Sequence, residues 1–298
     1  MKIGYPCLNL SLGCTSSHTF RLKNYSETRL AQLIESNLDC LSEIIDFNIE
    51  NKIKFLRICS GLIPFASHEK CKFKWQKKYR PDFAEIGEKI KLNKIRISMH
   101  PDQFVLINAI KKKIVENSIR ELLYHSQVMD LLELPHDCKI QIHVGGVYED
   151  KDNSIKRFVK NYNTLPQEIK KRLVIENDER LYSLNDCLKI HSLTGIPILF
   201  DSFHHSLHNS KEPLKEAVLK ASKTWLKKDG HLMLDYSSQS KDKRIGAHAE
   251  TLDTRKFKKF ILDTSPLDFD IMLEIKDKEK SALKALKILK KIKNSGRC

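Results

Sequence analysis

Six short apolar runs in this chain each end in a side chain that can hold a metal or move a proton. Arg96-Ile-Ser-Met runs into His100, with Pro-Asp following at once. Ile140-Gln-Ile ends at His143, just before Gly145-Gly146. Leu173-Val-Ile ends at Glu176, Ile198-Leu-Phe at Asp201, Leu232-Met-Leu at Asp235 and Ile271-Met-Leu at Glu274. An apolar, β-favouring run cut off by turn residues reads as a strand presenting its last side chain at its C-terminal tip. Any one of these has a bland explanation: a lone strand-end histidine is more often structural, Asp201 before Ser202 could cap a helix, and Glu274 could pair with Lys276. All six in one register argue instead for a ring of ligands at one end of a barrel.

The segments between the runs support a barrel. Lys2 to Tyr5 reads as a first strand, and Tyr25 to Glu50 as a long amphipathic helix with Leu30, Leu33, Ile34, Leu38, Leu41, Ile44 and Ile45 at helical spacing. Lys54 to Cys59 is a second strand. Helical patterns follow over about 82–91, 115–134, 154–171 with a break near Pro166, 183–193, 214–226, after Thr254 up to Pro266, and 278–292. Strands that are nearly continuous apolar runs, each followed by a helix, predict a (β/α)8 TIM barrel of parallel strands. The 298 residues fit one such domain, 1–298, with no linker or repeat to divide it. In this fold the active site lies at the C-terminal strand ends, where the His and carboxylate residues fall.

Composition narrows the partner. Lys and Arg number 53 against 38 Asp and Glu, a formal charge of +15, which suits a polyanion such as nucleic acid. The stretch Lys70 to Arg80 interleaves Phe73, Trp75 and Tyr79 with basic residues, as a surface that meets phosphates and stacks on bases would; it also reads as a solvated basic loop anchored by Trp75. No apolar run approaches the roughly 18 residues of a membrane span, so no membrane association is expected. Cys7, Cys14, Cys40, Cys59, Cys71, Cys138, Cys187 and Cys298 form no CxxC pair, and the chain opens directly on a strand. They are read as reduced thiols in an intracellular, cytoplasmic protein. GxSxG, P-loop and GxGxxG motifs are absent, which leaves a serine hydrolase, an NTPase and a Rossmann enzyme without support.

The candidate ligands are His100, His143, Glu176, Asp201, His204, Asp235, His248 and Glu274. Imidazoles with carboxylates suit divalent Mn, Zn or Fe. Eight ligands exceed the needs of one ion. A carboxylate shared between two ions, the economical role for Glu176, is the usual device of phosphoryl hydrolysis.

At this point a family resemblance appears. Gly4-Tyr-Pro with Asn9, Arg57-Ile-Cys-Ser with Pro64 and Ser67-His68, Met99-His-Pro-Asp-Gln103, Ile142-His-Val-Gly-Gly146, Ile175-Glu-Asn-Asp178, Asp201-Ser-Phe-His-His205, Tyr236-Ser-Ser, Gly246-Ala-His248 and Met272-Leu-Glu-Ile-Lys276 together resemble UV-damage endonucleases, in order along the whole chain. More distant likenesses are endonuclease IV type abasic-site enzymes and sugar-isomerase barrels. The resemblance implies a repair nuclease that cuts damaged double-stranded DNA immediately 5′ to cyclobutane pyrimidine dimers, 6-4 photoproducts and often abasic sites, leaving a 3′-hydroxyl and a 5′-phosphate. It implies two or three divalent ions, Mn2+ foremost and Mg2+ or Zn2+ as alternatives. His100, His143 and Glu176 would hold one ion; Glu176, Asp201, Asp235 and Glu274 a second; His204 and His248 a third, helped by Glu250.

His68 and Lys276 would act with Glu176 as catalytic residues, the first two stabilising charge on the phosphate. Tyr5 and Asn9 would line the lesion pocket, with Gln103 and Phe104 probing the duplex opposite the damage. The family usually carries His where Asp235 stands and Lys where Met233 stands, so this chain expects a harder, more anionic second site. A monomer is the default expectation. The competing readings are an abasic-site endonuclease without dimer activity, a sugar isomerase, and a DNA-binding barrel that has lost its activity.

Overall fold

A computed structural model of the chain describes residues 1–209 and 211–295; Cys298 lies outside them. Eight parallel strands close into a barrel in sequence order, β1 pairing with β8. The strands are β1 Ile3–Pro6, β2 Phe55–Ile58, β3 Arg96–Met99, β4 Lys139–His143, β5 Leu173–Glu176, β6 Ile198–Asp201, β7 Met233–Tyr236 and β8 Asp270–Leu273. The helices are α1 Glu27–Glu50, α2 Trp75–Lys78, α3 Arg80–Leu92, α4 Lys112–Leu131, α5 Lys151–Thr164, α6 Gln167–Lys170, α7 Leu184–Thr194, α8 Ser202–Leu207, α9 Leu214–Ser222, α10 Thr254–Thr264 and α11 Glu279–Asn294. This is the (β/α)8 architecture that the alternating runs predict. The helix expected over 154–171 is broken at Pro166, which lacks the N–H an unbroken helix would need. Two short helices, α2 and α8, fill loops that carried no periodic signal because each makes fewer than two turns.

The lumen is layered. Strand side chains alternate in and out, and Phe55, Val174, Leu199, Met233 and Met272 form one buried apolar layer inside the barrel. Met233 is completely buried there, so the position where the resembling family usually has Lys holds a packing residue in this chain. At the N-terminal end the lumen is closed by ion pairs. Arg96 meets Asp270 at 3.0 Å and Lys139 meets Asp229 at 2.7 Å, all four groups buried. The Trp225 ring lies 5.5 Å from the Arg96 guanidinium and 5.9 Å from the Lys139 ammonium, adding cation–π attraction where water is excluded. Gly4 is needed between β1 and β2, because a Cβ there would come within 2.4 Å of the Phe55 carbonyl oxygen.

One expectation is corrected, and a choice between two readings is decided. Cys14 and Cys40 are joined in a disulfide that ties the loop after β1 to α1, so the cysteines are not all thiols and the compartment argument drawn from them falls away. The pairing brings together residues 26 apart, with none of the local spacing that marks a CxxC pair. Of the two readings of the Lys70–Arg80 segment, the basic loop anchored by Trp75 holds, and Trp75 and Tyr79 are not open to bases. Trp75 is buried between Phe83 and Tyr124, and Tyr79 is buried with its hydroxyl on Glu35 and on the Ala31 carbonyl. The aromatics anchor the loop, and Lys72, Lys74, Lys77 and Lys78 face solvent. Among the described residues no helix is long and apolar enough to cross a membrane.

Removing one partner of a buried ion pair strands the other charge. Asp270→Ala, which leaves Arg96 unpaired, is expected to lower stability by about 3–5 kcal/mol in urea unfolding. A loss no greater than the ~1 kcal/mol of an exposed pair would mean that the guanidinium reaches water instead.

Candidate metal centre

The two-residue alternation that builds the apolar layer also builds the ring above it. Arg57, Glu176, Asp201, Asp235 and Glu274 each stand two residues beyond a member of that layer. They share its facing and sit one level nearer the C-terminal rim. Gln141 and His143 follow Lys139, and His100 follows Arg96, in the same two-residue steps. The rim opens into a cavity of about 680 Å³ walled by Pro6, Cys7, Arg57, His100, His143, Glu176, Glu179, His204, His248 and Glu274, with Gln103, Arg180, Arg244, Lys276 and Lys278 around it.

Glu176 is the centre. Its Oε1 lies 2.9 Å from His143 Nδ1 and 3.2 Å from His100 Nε2. Neither contact has hydrogen-bond geometry, and this buried oxygen is left without a partner. Buried polar atoms are seldom orphaned. A carboxylate oxygen and two ring nitrogens converging without sharing a proton are placed as a cation would need them. One donor atom from each of His100, His143 and Glu176 lies within 4.8 Å of the others, and the same holds for Glu176, Asp201 and Asp235. Glu176 Oε2 accepts from Gln141 Nε2 at 2.6 Å, which fixes the plane of the carboxylate.

His204 and His248 extend the row. The ring centroids of His143 and His204 are 6.2 Å apart, and those of His204 and His248 are 6.3 Å apart. His204 Nδ1 lies 3.1 Å from the Asn177 carbonyl and His248 Nδ1 lies 2.8 Å from the Glu274 carbonyl. With Nδ1–H donated to a backbone oxygen, each ring keeps the Nε2 lone pair free, the arrangement usual for metal-binding histidines. The backbone N–H groups of Phe203 and His204 cap Asp201 Oδ1. The cap reading and the ligand reading of Asp201 therefore coexist, one per oxygen.

Arg57 lies beneath the ring, buried. Its Nη2 donates to both oxygens of Asp235 at 2.9 and 2.8 Å and to Gln141 Oε1 at 2.6 Å, and its Nη1 pairs with Glu274. Gln141 Nε2 also donates to Asp235 Oδ2 at 2.7 Å. Both oxygens of Asp235 are thus already engaged, whereas Glu176 Oε1 is not.

The electrostatics match an excess of buried negative charge. Burial alone would raise Glu176, but His143 and His100 beside it hold it well below the usual carboxylate range. Burial likewise disfavours a charged His143, yet Glu176 lifts it to about 9. His204 is lifted to about 9 against burial, chiefly by Asp201. Asp201 is pushed up to about 6 by burial, with His204 opposing. Burial would raise Glu274, but Arg57 brings it down to about 2. The ring therefore draws in positive charge, and a divalent cation would compete with these protons.

The expected site residues divide. His100, His143, Glu176, Asp201, His204, Asp235, His248 and Glu274 come together at the strand tips. Lys276 and Gln103 line the cavity, and Phe104 beside it is 59% exposed. Tyr5 and Asn9 do not line an open pocket. Both are buried, and the Tyr5 hydroxyl donates to Asn48 of α1 and accepts from Asn9. Tyr5 has the opposite parity to Gly4 and Pro6 on its strand, so it faces the helices. His68 is exposed, takes a hydrogen bond on Nδ1 from the Lys70 N–H, and does not line the cavity. Glu250 is exposed and held by Lys243 and Lys276, away from the ring. Sequence reasoning assigned no role to Arg57, Gln141, Glu179, Arg180 or Arg244. Arg57 and Gln141 were legible in principle as polar residues inside apolar strands, at the parity of the ring.

The UV-endonuclease UvdE family model matches residues 1–297. A UV DNA damage endonuclease of Clostridium perfringens is 39% identical over 294 residues, covering 98% of this chain and 71% of that protein. One from Bacillus cereus is 32% identical over 289 residues, covering 94% and 91%. The crystal structure of SacUVDE superimposes with a TM-score of 0.94 at 43% identity, covering 98% of this chain and 99% of that one. Endonuclease IV from Thermus thermophilus, at 12% identity, a TM-score of 0.58 and 86% and 94% coverage, shares the fold.

Gln141 touches Arg57, Glu176 and Asp235 without being a candidate ligand itself. Gln141→Leu should leave every candidate ligand in place and weaken Mn2+ binding, read by titration calorimetry, by about 10–100-fold. Unchanged affinity would detach Gln141 from the centre.

Proposed function

The chain belongs to the UV-endonuclease UvdE family, and we propose that it hydrolyses the phosphodiester immediately 5′ to UV photoproducts in duplex DNA with a cluster of divalent ions, Mn2+ foremost. The observation that carries this reading is the orphaned Glu176 Oε1, faced by nitrogens of His100 and His143. His100, His143 and Glu176 would hold one ion. His204 and His248, with Asp201 and Glu274 alongside, supply the remaining donors. Bound ions supply an activated water and stabilise the departing 3′-oxygen.

The chain's own residues supply the rest. Arg57 and Gln141 keep Glu274, Asp235 and Glu176 in fixed orientations, so the ligand ring need not reorganise. Lys276, Lys278, Arg180 and Arg244 stand at the cavity wall, where cations hold a DNA strand by its phosphates. Lys276, held by Glu250 2.8 Å away, is one of these cations and would meet charge that develops on the attacked phosphate. Gln103 at the cavity edge and exposed Phe104 form a wedge of the kind that enters a base step. A dimerised pyrimidine pair stacks and pairs weakly, so displacing it costs less than displacing intact bases, by a few kcal/mol. The cut is hydrolytic: water adds to phosphorus, the P–O3′ bond breaks, and a 3′-hydroxyl and a 5′-phosphate result.

End-labelled duplexes carrying one cyclobutane dimer, one abasic site or no lesion test this with Mn2+, Mg2+ or chelator. The expected result is a Mn2+-dependent nick immediately 5′ to the dimer that chelator abolishes. Cutting at the abasic site alone would replace the reading with an abasic-site endonuclease, and no cutting with metal bound would overturn it. Phe104→Ala should slow nicking at the dimer by roughly tenfold or more, since stacking on one base is worth about 1–3 kcal/mol, while Mn2+ binding stays unchanged.

A further inference from the structure

Two neighbouring thiols, one of them at the cavity wall, take no part in this chemistry. Cys7 follows β1 directly and lines the cavity. Cys59 follows β2 directly, and both are partly exposed free cysteines. The ladder Gly4↔Phe55, Tyr5↔Leu56, Pro6↔Arg57 continues past β1, because the Cys7 N–H donates to the Arg57 carbonyl at 2.8 Å. Cys7 is thus level with Ile58, and Cys59 stands one residue further along the neighbouring strand. A strand spacing of about 4.8 Å and a rise of about 3.3 Å put the two Cα atoms roughly 5.8 Å apart, within the range of about 4.4–6.8 Å that a disulfide spans. At Cys7 the backbone leaves the strand with φ of +69°, and the two thiols are close enough that each shifts the other's titration.

We propose that Cys7, at the wall of the active-site cavity, and Cys59, beside it on the neighbouring strand, are an oxidisable dithiol, converted by a hydroperoxide into a disulfide that fastens the loop after β1 to the tip of β2. The two sulfurs have distinct parts. The neighbouring Cys7 thiol pulls the Cys59 thiol down to about 6 against burial, helped by the Gly61 N–H and the Ser17 hydroxyl, with Asp102 opposing. Cys59 is therefore the attacking thiolate, since the thiolate is the reactive form. The neighbouring Cys59, together with burial, pushes Cys7 well above the thiol range, so Cys7 is the resolving thiol. Arg57 and Lys278 are the cations that bear on it.

The steps balance. Cys59 sulfur attacks one peroxide oxygen, the O–O bond breaks, hydroxide leaves and takes a proton to become water, and Cys59 becomes a sulfenic acid. Cys7 sulfur then attacks Cys59 sulfur, the S–O bond breaks, the S–S bond forms and a second water leaves. Two thiols lose two hydrogens and hydrogen peroxide becomes two waters. The other free thiols are less suited. Cys138 and Cys187 are buried, and burial pushes both upward. Cys71 is partly exposed, but no second thiol is described as its partner.

The test is peptide mapping of the full chain after stoichiometric hydrogen peroxide and alkylation. The expected result is a Cys7–Cys59 cross-link that forms about tenfold faster than Cys71 is consumed, in keeping with thiolate reactivity, and that a dithiol reductant reverses. In Cys7→Ser, dimedone should trap a sulfenic acid on Cys59. In Cys59→Ser, Cys7 should remain alkylatable at the same dose. Loss of Cys71 ahead of the pair, or full alkylation of both Cys7 and Cys59 after peroxide, would overturn the proposal. Because the wild-type chain itself carries the main readout, a variant that fails to fold does not blunt the test.

Discussion

The buried guanidinium of Arg57 is the interaction on which the strand-tip ring depends. Glu176, Asp201, Asp235 and Glu274 crowd the C-terminal end of a narrow lumen, and carboxylates at that density repel one another unless cations intervene. Arg57 supplies a fixed cation by gripping Glu274 with one nitrogen and Asp235 with the other. Taking an ion pair out of water gains little by itself, because desolvation offsets attraction. What the pair achieves is orientation. Arg is suited to it because its fork presents several donors in one plane, and Gln141 completes the plane between Asp235 and Glu176.

The lumen keeps stability and chemistry apart. Ion pairs under Trp225 close the N-terminal end, an apolar layer of Phe55, Val174, Leu199, Met233 and Met272 fills the middle, and the ring occupies the other end. The apolar layer lowers the dielectric beneath the ring and keeps water out from below. That strengthens every charge interaction above it, and it explains why an ordinary carboxylate such as Asp201 is pushed upward while Glu274, held by Arg57, goes the opposite way. The lumen charges at the N-terminal end pair with one another.

Much of this was legible because a strand has a period of two. Once His100, His143, Glu176, Asp201, Asp235 and Glu274 are read as strand tips, parity places them in one lumen, and a barrel follows from eight repeats of run and helix. Three things were not legible. Arg57 and Gln141 lie one register step below the rim and resemble interior strand residues until the closed barrel shows what faces them. Tyr5, Asn9 and His68 were assigned by likeness, but parity turns Tyr5 toward α1 and the turn at His68 leaves it exposed. The Cys14–Cys40 bond, and the choice between the two readings of the Trp75 loop, depend on which helix a loop folds against, and local composition does not encode that choice.

Asp235 and Met233 follow from the same layering. A side chain at 233 points into the apolar layer, and methionine there packs without a charge that would need a partner. One level higher, a side chain at 235 meets the Arg57 fork. An imidazole offers that fork one lone pair at most, and none when protonated, whereas an aspartate offers two oxygens, and both are used. Positions 233 and 235 are therefore coupled. Uncharged packing at 233 leaves Arg57 as the cation nearest the floor of the ring, and an anion at 235 holds it there. Among the described residues, Glu176 Oε1 is the fully buried carboxylate oxygen of the ring that lacks a hydrogen-bond partner, so a cation entering the centre would meet Glu176 first, with His100 and His143 as its immediate neighbours.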